Sequence, residues 1–322
     1  MGRTKKPDSK SEEKTKVVIS KNSLTTVLDE CQRSVASFNK GIQTFHHMYQ
    51  RSSQSFLDCF LPQLDRILAV PKSEASTERL MNFVSKFASL SSDDQSSESR
   101  DELVAAILRH LLLRANASSK PVRLHACELI ATTLSSMPDD ADIPEELYDE
   151  IRSQMIDRME DKNPQVRAEA IQSLKRLQDE SDETVTSMLV RSMTSDSSST
   201  TRKVALSAVR GTKATVQDVI KRCAHKSIVC RTRDTSSTVQ KQAFDVLREK
   251  FVMKELTIEQ RTTLIRDGLQ DRDTGVKSAC GRMIIENWLK ERQNNFAQLL
   301  ESLSVELFPK EAEVALKYLF DK

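Results

Sequence analysis

Asp161-Lys-Asn-Pro-Gln-Val166-Arg167-Ala-Glu-Ala170 sets out an aspartate, four residues, an aliphatic–basic pair, and then a small residue that lets two helices approach closely. The frame returns at Asp196…Thr201-Arg202…Ala205, at Asp234…Val239-Gln240…Ala243 and at Asp271…Val276-Lys277…Cys280. A weaker copy without the leading acid stands at Val122-Arg123…Ala126. Successive aliphatic positions are 44, 35, 38 and 37 residues apart. That is the period of a two-helix solenoid unit, in which neighbouring repeats bury a core none could bury alone. A solenoid offers a long binding surface and rarely an enclosed pocket.

Working outward, 322 residues exceed what one compact core usually holds, which leaves several domains or a one-dimensional array. Only 6 Gly and 8 Pro, 30% charged residues and 5% aromatic residues describe a helical chain. An α/β enzyme of this size needs more glycine for its strand–helix turns. The expected fold is therefore all-α, a right-handed superhelix of antiparallel helix pairs. Residues 1–20 read as a disordered polar tail, 21–118 as degenerate helical repeats, and 119–322 as clearer repeats with the last one incomplete.

The apolar spacing predicts a helix over Leu24–Phe38, a second over Ser52–Val70, a third over Thr77–Leu90, a loop over Ser91–Arg100 and a short helix over Leu103–Leu113. Leu147, Ile151, Met155 and Met159 mark a first helix whose start is signalled by Asp142-Ile-Pro144-Glu145. Its partner follows Asn163-Pro164. Val185, Met188 and Leu189 mark the next first helix, and Val216, Val219, Ile220 and Cys223 the one after. Thr257-Ile-Glu-Gln260 is a capping-box pattern that opens a further one. In the last unit, Val314, Leu316, Leu319 and Phe320 are apolar where a terminal repeat wants a polar face. The expectation from this end is a fragment, a truncated product, or a partner that covers it.

Six cysteines (Cys31, Cys59, Cys127, Cys223, Cys230, Cys280) lie far apart with no CxxC, and all read as buried reduced thiols. No signal peptide or long apolar run is present, so no membrane partner is expected. Gly2-Arg-Thr-Lys-Lys6 is compatible with a nuclear address and equally with a solvated tail.

The repeated Asp and its basic partner need a physical account. A cation in the first turn of a helix opposes the macrodipole, so Arg167, Arg202 and Lys277 require compensation. Asp161, Asp196, Asp234 and Asp271, each in the loop before such a helix, are placed to accept backbone N–H groups and to pair with the cation. An Asp–Arg ladder through stacked loops would fix repeat stacking; direct ligand contact by Arg123, Arg167 and Arg202 is the alternative.

Net charge is only +2, yet charge is segregated along the chain. From Arg202 to Arg233 there are nine cations (Arg202, Lys203, Arg210, Lys213, Lys221, Arg222, Lys226, Arg231, Arg233) and one acid, Asp218. This cluster is the expected polyanion contact, the alternative being a solvated face. It carries almost no interleaved aromatics, so phosphate contact with duplex DNA fits better than base stacking. The acidic stretch 139–150 would repel DNA, dock a basic partner, or simply cap a helix. His46-His47 with Cys59, and His125 with Cys127, lack zinc spacing. No phosphate loop, dinucleotide fingerprint, HExxH or GxSxG occurs. No enzyme, cofactor, metal or small-molecule substrate is expected.

The frame D-x4-V-[RK]-x2-A-x3-L resembles the HEAT repeat over about residues 119–320. Phe45-His-His-Met48…Phe56…Phe60-Leu-Pro-Gln-Leu64-Asp-Arg-Ile67-Leu68, then Glu78-Arg-Leu-Met-Asn-Phe83-Val-Ser-Lys-Phe87-Ala88, together with the frames at Val122 and Asn163, resemble the N-terminal portion of the condensin subunit 3 family, a group of HEAT-repeat, non-SMC condensin subunits. The resemblance implies a non-enzymatic scaffold that binds the kleisin subunit directly, SMC ATPases indirectly and double-stranded DNA through basic patches. It further implies a place in the nucleus and on chromosomes, in mitotic condensation. Members of that family are much longer, Gln240 replaces the basic residue in the fourth repeat, and Glu311 takes an aliphatic position in the last. A protein-only HEAT scaffold and a cohesin-type regulator without direct DNA binding are the rival readings.

Overall fold

The computed structural model describes residues 20–71, 75–89, 97–137, 143–178, 183–212 and 216–321. Among them every regular element is helical. The chain divides into two compact units, Met1–Ile107 and Leu108–Lys322. The tail expected over residues 1–20 lies almost wholly outside the described residues.

The first unit contains α1 (Lys21–Glu30), α2 (Val35–Arg51), α3 (Ser53–Ala69), α4 (Ala75–Ser89) and the start of α5 (Ser97–Ala115). The single helix expected over Leu24–Phe38 is two helices. Cys31 closes α1, and the Ser34 hydroxyl accepts the Ser37 N–H at 3.1 Å to open α2. The apolar period runs straight through this break, so periodicity alone misses it. Helix α5 also begins earlier than expected, taking in residues 97–100 of the anticipated loop; residues 91–96 lie outside the described residues.

Phe45 is the hub of this unit. Its ring meets Phe56, Phe60, Phe83 and Phe87 edge-on at centroid distances of 5.4, 5.7, 5.1 and 5.3 Å, and all five rings are fully buried. Edge-to-face contacts of this kind add about 0.5–1.5 kcal/mol per pair beyond the apolar area removed from water.

The second unit holds the repeats: α6 (Lys120–Ser136), α7 (Glu145–Arg158), α8 (Pro164–Leu174), α9 (Thr184–Ser195), α10 (Ser199–Arg210), α11 (Gln217–Arg231), α12 (Ser237–Lys250), α13 (Ile258–Leu269), α14 (Thr274–Met283), α15 (Phe296–Glu301) and α16 (Pro309–Phe320). Second helices stack on one another in the order α6, α8, α10, α12, α14, while α7, α9, α11 and α13 each pack against the second helix that follows. The small position of every frame (Ala126, Ala170, Ala205, Ala243, Cys280) is completely buried. So are Val166, Thr201, Val239 and Val276. The repeated side chains are therefore the seam of the stack.

Caps follow the chemistry of the loops. Asn163 Oδ1 accepts the Gln165 N–H at 2.9 Å, and Thr257 and Gln260 form the expected reciprocal box. Asp142 lies outside the described residues; α7 begins directly after Pro144 with Glu145 and Glu146 in its first turn, where the helix dipole favours them.

The last pair departs from the pattern. Helix α14 continues into a π-helical turn, Ile284–Leu289, that places Trp288 in the core. Helix α16 packs against α13, and Tyr318 lies over Gly281, where an added Cβ would fall 2.1 Å from its ring. The earlier second helices carry Cys127, Ile171, Leu206 and Phe244 at that register position; here glycine leaves the room and a tyrosine from the next helix fills it. Ala312 and Ala315 are the buried residues of α16, whereas Val314, Leu316 and Leu319 are half-buried and Phe320 is 73% exposed.

Cys31, Cys127 and Cys280 are buried thiols, with burial raising Cys31 to about 11 and Cys127 to about 12. Cys59 and Cys223 are half-buried, and Cys230 is exposed because it falls on the solvent side of α11, so the expectation of six buried cysteines is corrected. Among the described residues no helix is long and apolar enough to cross a membrane.

Candidate functional site

The frame residues assemble into a ladder that runs from one repeat to the next. Arg123 donates through Nε and Nη2 to the Asp161 carboxylate at 2.8 and 3.3 Å. Arg167 grips Asp196 with two bonds of 2.7 Å, and Arg202 grips Asp234 at 2.8 and 2.7 Å. In the fourth rung Gln240 Nε2 donates to Asp271 at 3.1 Å, a single bond from a neutral donor.

The pairing differs from expectation in one respect. Each cation reaches the aspartate of the following repeat. Its own loop supplies carbonyls instead: Arg167 Nη1 donates to Asp161 O and Arg202 Nη1 to Asp196 O, both at 2.8 Å. The guanidinium thus sits in the first turn of its helix, neutralised by a carboxylate from one side and by loop carbonyls from the other, which answers the macrodipole conflict. The planar fork of arginine suits this geometry, since it serves carboxylate and carbonyl at once.

Each aspartate also shapes its own loop. Asp161, Asp196, Asp234 and Asp271 accept the backbone N–H two residues on, from Asn163, Ser198, Ser236 and Asp273, at 2.8, 2.8, 3.0 and 2.8 Å. This is the turn mimicry that short acidic side chains perform. Burial pushes the Asp161, Asp196 and Asp234 carboxyls upward. The arginine bonds, the backbone N–H and the nearby positive charge outweigh it and hold all three below their ordinary value. Lys277, at the last rung position, makes no ion pair among the described residues; the loop before α16 carries no aspartate.

A second set of contacts joins the far ends of the second helices, and sequence reasoning missed it. Arg176 Nη1 donates to Leu134 O and Met137 O, Lys250 Nζ to Thr212 O, and Asn287 Nδ2 to Arg248 O and Phe251 O. The last carbonyls of one helix are satisfied by the helix stacked above it, groups that would otherwise lack an intrahelical donor. Arg210 pairs with Glu249, and Arg248 with Glu286, each cation here reaching forward to the next repeat. The signal was a donor ten or eleven residues after the aliphatic position, visible only once the frames are aligned to one another.

The basic segment is altered most by folding. Arg202 is buried in its rung. Lys221 pairs with Glu255 at 2.7 Å and Arg231 with Asp234 at 2.9 Å, while Arg222 pairs with Glu183 and Arg233 with Asp267. Every one of these acids comes from outside the 202–233 stretch, so charge segregated along the chain is balanced in space. Lys203 and Lys226 are exposed with no ion pair among the described residues, and the Arg222 and Arg233 side chains stay 63% and 57% exposed despite their partners. Lys213 lies outside the described residues, as do residues 139–142 of the acidic stretch; Asp149 and Glu150 are exposed on α7.

Comparison with known proteins gives one consistent answer. Residues 108–210 match the family model for HEAT repeats. Condensin complex subunit 3 of Xenopus laevis is 32% identical over 301 residues, which is 91% of this chain and 28% of the relative. The human protein of the same name is 32% identical over 271 residues, 82% of this chain and 26% of the relative. The crystal structure of the S. pombe condensin Cnd3–Cnd2 subcomplex superposes with a TM-score of 0.75 at 26% identity, over 92% of this chain and 37% of that one. The chain spans under a third of the length of these curated relatives.

Proposed function

The chain belongs to the condensin complex subunit 3 family, and from that premise we propose that it is a non-enzymatic HEAT-repeat scaffold that holds a kleisin segment and double-stranded DNA during chromosome condensation. The observation that carries the kleisin reading is the fold shared with Cnd3, a protein crystallised with Cnd2. Such a role places the chain in the nucleus and on chromosomes, with SMC ATPases reached through the kleisin.

The frame residues serve this role by stacking. Arg123, Asp161, Arg167, Asp196, Arg202 and Asp234 fix each repeat against its neighbour through paired, largely buried charges, with Asp271 completing the row through Gln240. Side chains on successive repeats then keep a fixed spacing, which an extended segment of a partner needs if it is to touch several repeats at once. The engagement of Arg123, Arg167 and Arg202 with these carboxylates favours stacking over direct ligand contact.

For DNA we assign Lys203 and Lys226, together with Arg222 and Arg233. The carboxylates on the last two are surface partners worth about 0–1 kcal/mol each, a cost that phosphates readily offset. Contacts of this type neutralise phosphate without reading sequence.

The test is co-expression of the chain with fragments of a condensin kleisin and, separately, a cohesin kleisin. Stoichiometric co-purification with the condensin kleisin alone is expected. Capture of the cohesin kleisin alone would move the chain to a cohesin-type role, and capture of neither would refute the kleisin scaffold.

A further inference from the structure

The first unit carries a surface feature that the ladder and the basic segment do not use. Between the α1–α2 turn and α4 lies an open groove of about 500 Å³. Its apolar part is Val35, 79% exposed, and the half-buried ring of Phe38. Arg33, Arg79 and Lys86 line the same groove with Asn82, and no carboxylate does. Asp29, Glu30 and Glu78, the acids nearest in sequence, are not part of its lining.

We propose that this groove docks an extended acidic segment of a partner protein, anchored by one large apolar side chain. Three observations select that occupant. A valine so exposed gains by being covered, and a concavity of this size holds one large side chain rather than a helix. None of the three cations makes an ion pair among the described residues, whereas most cations of the 202–233 segment are paired across repeats. The groove also sits at the start of the seventeen-residue helix α2, whose positive dipole end adds to the same field.

Two of the cations are held in place. Arg79 Nη1 donates to Gln32 O at 2.9 Å, and Lys86 Nζ lies 5.6 Å from the Phe38 ring centroid. A guanidinium and an ammonium thereby flank the apolar floor, the arrangement that an aromatic or aliphatic residue with aspartates or glutamates on either side would match. Bare phosphates would find the cations but leave Val35 in water, which favours protein over nucleic acid as the occupant.

The test uses the full chain and an array of short fluorescein-labelled peptides, each with a central phenylalanine, leucine or tryptophan flanked by glutamates. The control array carries glutamine in place of glutamate. Binding of acidic members with salt-dependent affinity is expected, with a loss of roughly tenfold or more both in Arg33→Glu/Lys86→Glu and in Val35→Asp. Arg79 is left intact because it supports the α1–α2 turn, and far-UV circular dichroism of both variants should overlay the parent. The proposal is overturned if no acidic member binds above its glutamine control, or if either variant binds as well as the parent. It is equally overturned if peptides lacking the central apolar residue bind as tightly. A labelled duplex that loses affinity in Arg33→Glu/Lys86→Glu while the peptides do not would make the groove a phosphate site.

Discussion

Arg202 is the residue whose removal tests the ladder most sharply. Its guanidinium makes four bonds, two to the Asp234 carboxylate and one each to Asp196 O and Ser197 O, and the Asp234 side chain is 1% exposed. In Arg202→Ala the carboxylate keeps the Ser236 N–H at 3.0 Å and Arg231 Nη1 at 2.9 Å, so it is only partly orphaned. Breaking a buried pair from one side costs about 3–5 kcal/mol, and these remaining partners place the loss near the lower end, about 3 kcal/mol. Asp234→Ala strands the cation and opens the loop turn as well, for a loss of about 3–4 kcal/mol. Replacing both with apolar residues, Arg202→Met/Asp234→Leu, removes the unmatched charge and should cost far less than the sum. The implied coupling is at least about 2 kcal/mol. The assay is urea denaturation followed by circular dichroism and by fluorescence of Trp288, the single tryptophan, which is buried beyond this interface in the π turn. Because a solenoid is stabilised interface by interface, weakening one interface should separate the two transitions, which are expected to coincide in the parent. A loss under about 1 kcal/mol in Arg202→Ala, or additive single and double variants, would refute the reasoning.

Four further outcomes are expected. Gln240→Arg should complete the weak fourth rung with a second, charged bond to Asp271 and raise stability by about 1 kcal/mol, read as a higher urea midpoint. Gly281→Ala drives a Cβ into the Tyr318 ring and should cost about 1–3 kcal/mol and raise hydrogen exchange in α16, with partial recovery when Tyr318→Ala is added. The carboxyls of Asp161, Asp196 and Asp234 are held below their ordinary value in the folded chain. Their stabilisation is therefore complete above the unfolded value of about 3.9 and is lost as pH falls through the lower folded values. The urea midpoint should be flat from neutrality to about pH 5 and drop below about pH 4, less steeply in Asp234→Ala. For DNA, four available cations predict that duplex affinity falls by about a hundredfold between roughly 50 and 200 mM salt. Lys203→Glu/Lys226→Glu should flatten that slope; a thousandfold fall in the parent would mean that further paired cations, such as Arg210 and Lys221, join the contact.

The fold was legible because its cause is local and repeated. A small residue four after an aliphatic one marks the helix–helix seam, and an aspartate five before it marks the loop; neither depends on distant chain. Where the cause was one-off, the sequence misled. The break between α1 and α2 rests on one serine cap inside an unbroken apolar period, and the seating of Tyr318 on α14 rests on one glycine, Gly281, where earlier repeats carry a side chain. The ladder was half legible: the residue types followed from the macrodipole conflict, whereas the partner of each arginine is set by stacking and lies 38, 29 or 32 residues away.

The basic segment shows why linear charge runs mislead in a stacked array. In a helix pair each side chain has neighbours on its own helix, on its partner and on the repeats above and below, so an acid some thirty or forty residues distant is as near as one a turn away. Glu183, Asp234, Glu249, Glu255 and Asp267 reach into a stretch whose own text holds one acid, and they do so at regular repeat offsets. The field left at the surface comes from the cations these acids miss. Lys203 and Lys226 are such cations in the second unit, and Arg33, Arg79 and Lys86 in the first. The second group borders exposed apolar surface at Val35. On charge and polarity together, the two places should therefore select different occupants, phosphate at Lys203 and Lys226 and an acidic peptide beside Val35.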